Sequence, residues 1–337
     1  MKMKKPHYIY MGMLAAMLLA ACSKDDGDSS QPAPQEDLEI RFNADVWQVL
    51  EGSRATTYDD QTAIQEEAKG FKTYAYVDGS TTQYISGSDV TYDTDHWQFE
   101  DGKHYWPLSG ALNFFCYMPS DLENTYCTID PTAYADPGNL DGYSEDTPRF
   151  TCTDLPVAIT CGSDDTNELI MAYAAQHDRA GTNSTLQPTA GEVALSFKHP
   201  FARVCFKLSA ESGTHVKVNS ITIPAIYRDG LCTFNGAASP QTFSWSSLAD
   251  NDEGLVISAP SAGAQATDDD ACYLVIPNNY GTKTFTVNAT WDDWSNVSKD
   301  VSADVTVNWQ AGYSYTYTLT LSKYVLIVDV EKYTEQW

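Results

Sequence analysis

Leu38-Glu39-Ile40-Arg41-Phe42-Asn43-Ala44-Asp45-Val46-Trp47-Gln48-Val49-Leu50 decides how this chain is read. Leu38, Ile40, Phe42, Ala44 and Val46 alternate with Glu39, Arg41, Asn43 and Asp45. A period of two is the pattern of a strand with one face in a core and the other in water. Gly52-Ser53-Arg54-Ala55-Thr56-Thr57 follows, small and polar apart from one basic residue. A core strand is therefore tethered to the body by a segment that an Arg-specific protease could cut. Near the far end, Tyr324, Leu326, Val328 and Val330 alternate with Val325, Ile327 and Asp329, so this second strand is apolar on both faces. A strand of that kind suits insertion between two neighbours. The expectation is that the second strand of one molecule replaces the first strand of another.

The rest of the chain reads as short strands between turn residues. Phe71–Val77, Asp89–Tyr92, Leu112–Met118, Phe150–Thr160 and Glu168–Ala175 precede a boundary at Ala180–Gly191, which carries Gly181, Asn183, Ser184, Pro188 and Gly191. Glu192–Phe197, Ala202–Leu208, Val216–Ile223, Leu231–Phe234, Cys272–Ile276, Thr284–Trp291, Val301–Trp309 and Tyr313–Leu321 follow it. Strands at this spacing predict antiparallel sandwiches. Asp59–Lys69 is expected to be one short helix, capped by Asp59 or Asp60 and ended by Gly70. Asp101-Gly102 between two aromatic arms predicts a hairpin. Ser120–Arg149, rich in Pro, Gly, Asp and Tyr, reads as a long loop.

The first 21 residues read as a targeting segment. Lys2, Lys4 and Lys5 precede an apolar run, Met11–Ala21, that is shorter than the ~20 residues a bilayer span requires. The run ends Leu19-Ala20-Ala21-Cys22, similar to a bacterial lipobox in which Cys22 is lipidated. Ser23-Lys24-Asp25-Asp26-Gly27-Asp28 resembles an acidic surface-export signal, and Pro32 and Pro34 mark a linker. The whole chain carries a formal charge of −26. The segment 1–21 holds lysines and no acid, so the mature chain is more acidic still. A field of that sign argues against nucleic acid and against bare anionic membranes, which leaves the lipid on Cys22 as the membrane contact. With lipid on Cys22, the remaining cysteines are Cys116, Cys127, Cys152, Cys161, Cys205, Cys232 and Cys272. The exported compartment permits disulfides, and their pairing cannot be read from spacing.

A search for chemistry finds no H-E-x-x-H, G-x-S-x-G, Walker A or G-x-G-x-x-G pattern, so the chain is not read as an enzyme and no cofactor is expected. His96 and His104 could face each other across the Asp101-Gly102 hairpin, as a structural pair rather than a metal site. The acidic runs Asp164-Asp165 and Asp268-Asp269-Asp270 lack calcium-loop spacing. Trp97, Phe99, Tyr105 and Trp106 are either core or a glycan platform, and alternation favours core.

Four pieces, in order, resemble the fimbrillin (Mfa-like) family, the type V pilins of Bacteroides-type bacteria. The first is Ser53-Arg54-Ala55-Thr56 after the lipobox. The second runs from Trp97 through Tyr105-Trp106-Pro107 to Gly110–Pro119. The third is Val193-Ala194-Leu195-Ser196-Phe197-Lys198-His199-Pro200-Phe201-Ala202-Arg203-Val204, similar to the family's L-x-F-x-H-x-x-A-R strand. The last is Trp309-Gln310-Ala311-Gly312-Tyr313-Ser314-Tyr315. The resemblance implies an all-β chain of two transthyretin-like antiparallel β-sandwich domains in tandem. On that scheme residues 1–21 are signal peptide, 22–37 linker, 38–54 pro-strand, 55–190 and 191–323 the two sandwiches, and 324–337 a donor strand. It further implies a cell-surface fimbrial subunit, exported as a lipoprotein through the lipoprotein-processing machinery and cut between Arg54 and Ala55 by an Arg-specific protease. The released strand carries Leu38, Ile40, Phe42, Ala44 and Val46; the donor strand of another fimbrillin subunit carries Tyr324, Leu326, Val328 and Val330. The alternative is an uncut surface lipoprotein acting as fimbrial anchor or tip, or as an adhesin for a host glycan or protein.

Overall fold

The computed structural model describes residues 39–46, 70–78, 83–107, 109–122, 126–130, 149–152, 168–177, 192–213, 215–236, 240–250, 254–258, 272–291, 297–322 and 325–336. These residues form strands and connections only, as the alternating pattern predicts. The helix expected at Asp59–Lys69 lies outside the described residues.

One sheet holds seven strands in the order β8-β5-β2-β3-β4-β1-β9. These are β1 (Arg41–Val46), β2 (Phe71–Val77), β3 (Gln83–Asp93), β4 (His96–Phe99), β5 (Leu112–Met118), β8 (Ile170–His177) and β9 (Glu192–Phe197). Its two outer strands meet: Met171 and Lys198 exchange backbone hydrogen bonds of 3.0 and 2.8 Å. The sheet thereby closes on a core of its own, built from Ile40, Phe42, Phe71, Val90, Trp97, Phe114, Val193 and Phe197 among others. β2 and β5 are buried on both faces, which is why Leu-Asn-Phe-Phe-Cys-Tyr-Met is nearly continuous rather than alternating. Phe114 and Cys116 point into that core, while Phe115 and Tyr117 enter a second one.

The second core is covered by a four-stranded sheet, β13-β12-β7-β6. It comprises β6 (Cys127–Asp130), β7 (Arg149–Cys152), β12 (Tyr227–Asn235) and β13 (Thr242–Asp250). β12 pairs with β7, so this sheet draws strands from both sides of residue 190. The stretch Ser120–Arg149 is not loop throughout: Cys127–Asp130 is a strand, and Arg149 opens another. β13 escapes a periodicity search because Phe243 and Trp245 are its only apolar alternation before the register shifts against β12.

A third core lies between two further sheets, β15-β10-β18-β19 and β14-β11-β16-β17. Their strands are β10 (Ala202–Ala210), β11 (Val216–Ile223), β14 (Leu255–Ser258), β15 (Cys272–Val275), β16 (Asn279–Trp291), β17 (Val297–Asn308), β18 (Tyr313–Ser322) and β19 (Val325–Gln336). Phe285, Val287, Ala289 and Trp291 of β16 face this core. The residues between them face outward and pair with polar partners on β17, as in Thr286–Ser302 (2.9 Å) and Asn288–Asp300 (2.6 Å). Cys205 and Cys272, directly opposed on β10 and β15, form a disulfide. The turn before β18 is fixed by its own tyrosines: the Trp309 indole donates to Tyr317 Oη (3.0 Å) and the Gln310 amide donates to Tyr315 Oη (3.0 Å). The described pairings are antiparallel except β1–β9 and β10–β18, which are parallel. Parallel neighbours were not part of the expected antiparallel sandwiches; they arise where strands far apart in the chain are brought side by side.

Candidate functional site

The strand that opens the sequence reading sits between β4 and β9. Phe42 opposes Trp97 on the antiparallel side. On the parallel side Arg41 to Val46 run in register with Glu192 to Phe197. Two further contacts anchor its entry: the Ile40 amide donates to the His104 carbonyl (2.8 Å), and Glu39 bridges Tyr105. Alternation does what the pattern requires. Ile40, Phe42 and Ala44 are buried, while Arg41 and Asn43 are exposed. The Phe42 ring packs against Phe71, Phe99 and Phe114 at centroid distances of 5.3, 5.4 and 5.8 Å. Burying Ile40 and Phe42 contributes on the order of 3–6 kcal/mol at ~1.5–3 each, an upper figure before ordering costs.

Beside β1 the solvent face carries charge. Glu39 accepts from Lys103 Nζ at 2.7 Å and lies 3.6 Å from Arg41. These pairs are exposed enough that their contribution to stability is small. Burial pulls the Asp101 carboxyl upward, but hydrogen bonds from His104 and Ser88, and the charge of His104, outweigh it and hold the carboxyl below its usual range. The distances are 3.0 Å to His104 Nε2 and 2.8 Å to Ser88 Oγ. His96 and His104 do not face each other: His96 pairs with Asp95 and His104 with Asp101. The arm after Asp101-Gly102 does not fold back on β4 as a hairpin, because Tyr105 is bridged to Glu39. The aromatic stripe is mostly core, with Trp97 and Trp106 buried, Phe99 half-buried against the same core and Tyr105 alone exposed.

The second predicted strand, β19, is the outer strand of its sheet and pairs with β18 of the same chain, from Ser322↔Val325 toward Tyr313↔Gln336. Leu326 is buried at 4% exposure and Val328 packs on the third core. Val330 does not share their burial: it is 49% exposed, although Tyr317 opposite it on β18 is buried in the third core. The outward face carries Val325 (52%) and Ile327 (46%), an apolar edge open to solvent. Cys22, Leu38, Arg54, Ala55 and Tyr324 lie outside the described residues, and for Val46 only its backbone place at the end of β1 is described.

Sequence reasoning missed the parallel partner β9 and the seam behind it, where His199 Nδ1 donates to Glu168 Oε1 at 2.6 Å with both side chains buried. A lone His between two apolar strands was the available signal, and its partner 31 residues away was not visible. Among the described residues, no group of three or more His, Cys, Asp or Glu side chains could hold a metal ion.

β1 thus has a backbone ladder on both sides and buries every second side chain in the first core. A family model described as fimbrillin-like matches residues 53–337, and the chain belongs to that family. Membership of that family gives it a fimbrial role at the cell surface. The fold is similar to that of a fimbrial protein from Bacteroides vulgatus at 14% identity, covering 89% of this chain and 99% of that one, with a TM-score of 0.59. It is also similar to a candidate cell adhesion protein from Bacteroides ovatus at 14% identity, covering 89% and 96%, with a TM-score of 0.52. A comparison with curated proteins found no match.

Proposed function

We propose that this chain is a fimbrial subunit that polymerises by strand exchange. It is exported as a lipoprotein with lipid on Cys22, carried to the outer membrane and cut after Arg54. The cut frees residues 22–54 and with them β1. The C-terminal strand of another subunit, residues 324–337, then enters between β4 and β9. The carrying observation is the position of β1: Ile40, Phe42 and Ala44 fill a core while both backbone edges are paired. Its loss would open apolar surface and two unpaired ladders, an edge that demands a new strand. Tyr324, Leu326, Val328 and Val330 repeat the same alternation and can be drawn from an outer strand that has one partner in its sheet.

The seating of β19 on its own β18 favours a second reading. In it the chain stays uncut, keeps Cys22 attached and serves as anchor, tip or free-standing adhesin. Intact mass and N-terminal sequence of the protein from the cell surface separate the two, with Arg54→Ala as control. An N-terminus at Ala55 in SDS-resistant ladders, both lost in the variant, supports exchange. A lipidated Cys22 with no cut form and no ladder in either strain removes it and leaves the uncut reading.

A further inference from the structure

A cleft of about 540 Å³ opens where the β9–β10 connection, the start of β13, the turn before β16 and the turn before β18 come together. That volume falls within the ~300–1,000 Å³ of small-molecule sites. None of the lining residues lies in 22–54, so a cut after Arg54 leaves all of them in the chain.

The lining mixes aromatic rings with amides. Phe243, Trp245 and Tyr313 line the cleft and are half-buried. Two of these rings are held from behind. Phe243 stacks on Phe234 at 4.7 Å and 18°. The Trp245 ring lies 5.3 Å from Phe201, and its indole donates to the Pro200 carbonyl at 3.0 Å. Gln241, Asn278 and Gln310 line the same space, with the exposed hydroxyl of Thr242. Gln241 is positioned too, since its Nε2 donates to the Tyr173 carbonyl at 2.9 Å. Side chains fixed before a ligand arrives lose little freedom when it binds.

Charge narrows the class of ligand. The chain has 46 acidic residues, yet no carboxylate lines this cleft among the described residues. Lys198 and His199 are its basic groups, and the buried Glu168 carboxylate, 2.6 Å from His199 Nδ1, sets an opposite charge beside them. The cleft is therefore built neither for a cation nor for a strong anion. An amide both donates and accepts hydrogen bonds, as a hydroxyl does. An aromatic ring offers a flat apolar surface, which suits the C–H face of a sugar ring.

We propose that this cleft binds a neutral mono- or disaccharide, with a sugar face against Phe243 and Trp245 and its hydroxyls on Asn278 and Gln310. The site stands apart from strand exchange and is present in the cut and the uncut chain alike.

The test is saturation-transfer NMR on the chain recovered from the cell surface. The probes are glucose, galactose, mannose, N-acetylglucosamine, lactose and cellobiose, with glucuronic acid as the charged comparison. The expected result is transfer to at least one neutral probe. Its affinity should fall about tenfold in Asn278→Ala and in Gln310→Ala, the loss of roughly one hydrogen bond. It should be kept in Thr306→Ala, on the outward face of β17. Thermal unfolding of each variant separates a lost contact from a lost fold, and Gln310, at an exposed position, carries the test if Asn278→Ala melts early. No transfer to any neutral probe at about 20 mM overturns the proposal. So does an affinity that neither variant changes, which would place the sugar elsewhere on the chain. Tighter binding of glucuronic acid than of glucose would overturn the neutral class. None of these outcomes bears on strand exchange, which the N-terminus of the surface form decides.

Discussion

His199 donates from Nδ1 to Oε1 of Glu168 across 2.6 Å, and both side chains are sealed from solvent. The pair stands beside the Met171–Lys198 bridge that joins β8 to the end of β9. Closure of the seven-stranded sheet therefore has a backbone part and a side-chain part. β9 borders β1, so this seam is what would hold β9 in place when β1 is absent. Glu168→Ala strips the buried imidazole of this acceptor and should cost about 1–3 kcal/mol in urea unfolding. Glu168→Gln keeps an acceptor and should lose less. Hydrogen exchange at Met171 and Lys198 should quicken in the alanine variant; unchanged exchange would mean that the backbone bridge closes the sheet unaided.

Phe42→Ala separates the two readings of function. The ring is buried among Phe71, Phe99 and Phe114. Its truncation should lower the stability of the uncut precursor by about 3–5 kcal/mol. Fibres assembled from subunits that have shed residues 22–54 no longer contain Phe42, so their resistance to SDS should be unchanged. Equal weakening of precursor and surface form would show that β1 stays in place.

Gly236 follows β12 where Tyr173 of β8 crosses it. A Cβ there would clash with Cγ and Cβ of Tyr173. Gly236→Ala should cost about 1–3 kcal/mol through overpacking. Adding Tyr173→Leu should recover only part of that, because the Cβ clash remains. Thermal unfolding of the two variants tests this.

Removing the Cys205–Cys272 disulfide, which spans 67 residues, should destabilise the chain by about 2–4 kcal/mol. In a Cys205→Ala/Cys272→Ala variant the unfolding free energy from denaturant titration should fall by that amount. A fall no larger than that of either single variant would locate the effect in the cross-link rather than in lost packing.

Burial pushes the phenols of Tyr315 and Tyr317 up to about 12 from a usual 10.0, and raises Tyr280 further. Between those values the folded state keeps protons that the unfolded chain has released. Stability should therefore be fully present below pH ~10 and decline as pH rises toward ~12. Denaturant midpoints across this window, with phenolate absorbance, give the check. Loss of the decline in Tyr317→Phe would assign a share of it to that residue.

Much of the secondary structure was legible because a half-buried strand writes its faces into the sequence. Phe71–Val77, Leu112–Met118, Glu192–Phe197 and Val216–Ile223 fall where the pattern put them. β13 and β14 were not legible, since serines fill most outward positions of one and the other has four residues. Of the proposed groove, Ile40, Phe42 and Ala44 were read correctly as core. Alternation put Leu326, Val328 and Val330 on one face, and it does not record that Leu326 is buried while Val330 is exposed.

By itself the sequence determined which segments become strands and which residues turn inward, because period two is a local property of the chain. The tertiary structure alone decided the neighbours: β1 parallel to β9, β7 against β12, Glu168 beneath His199, and β19 on β18. Any strand with a suitable apolar face can pair with many others. The choice among them is made by the packing of residues far apart in sequence, and no local pattern records it.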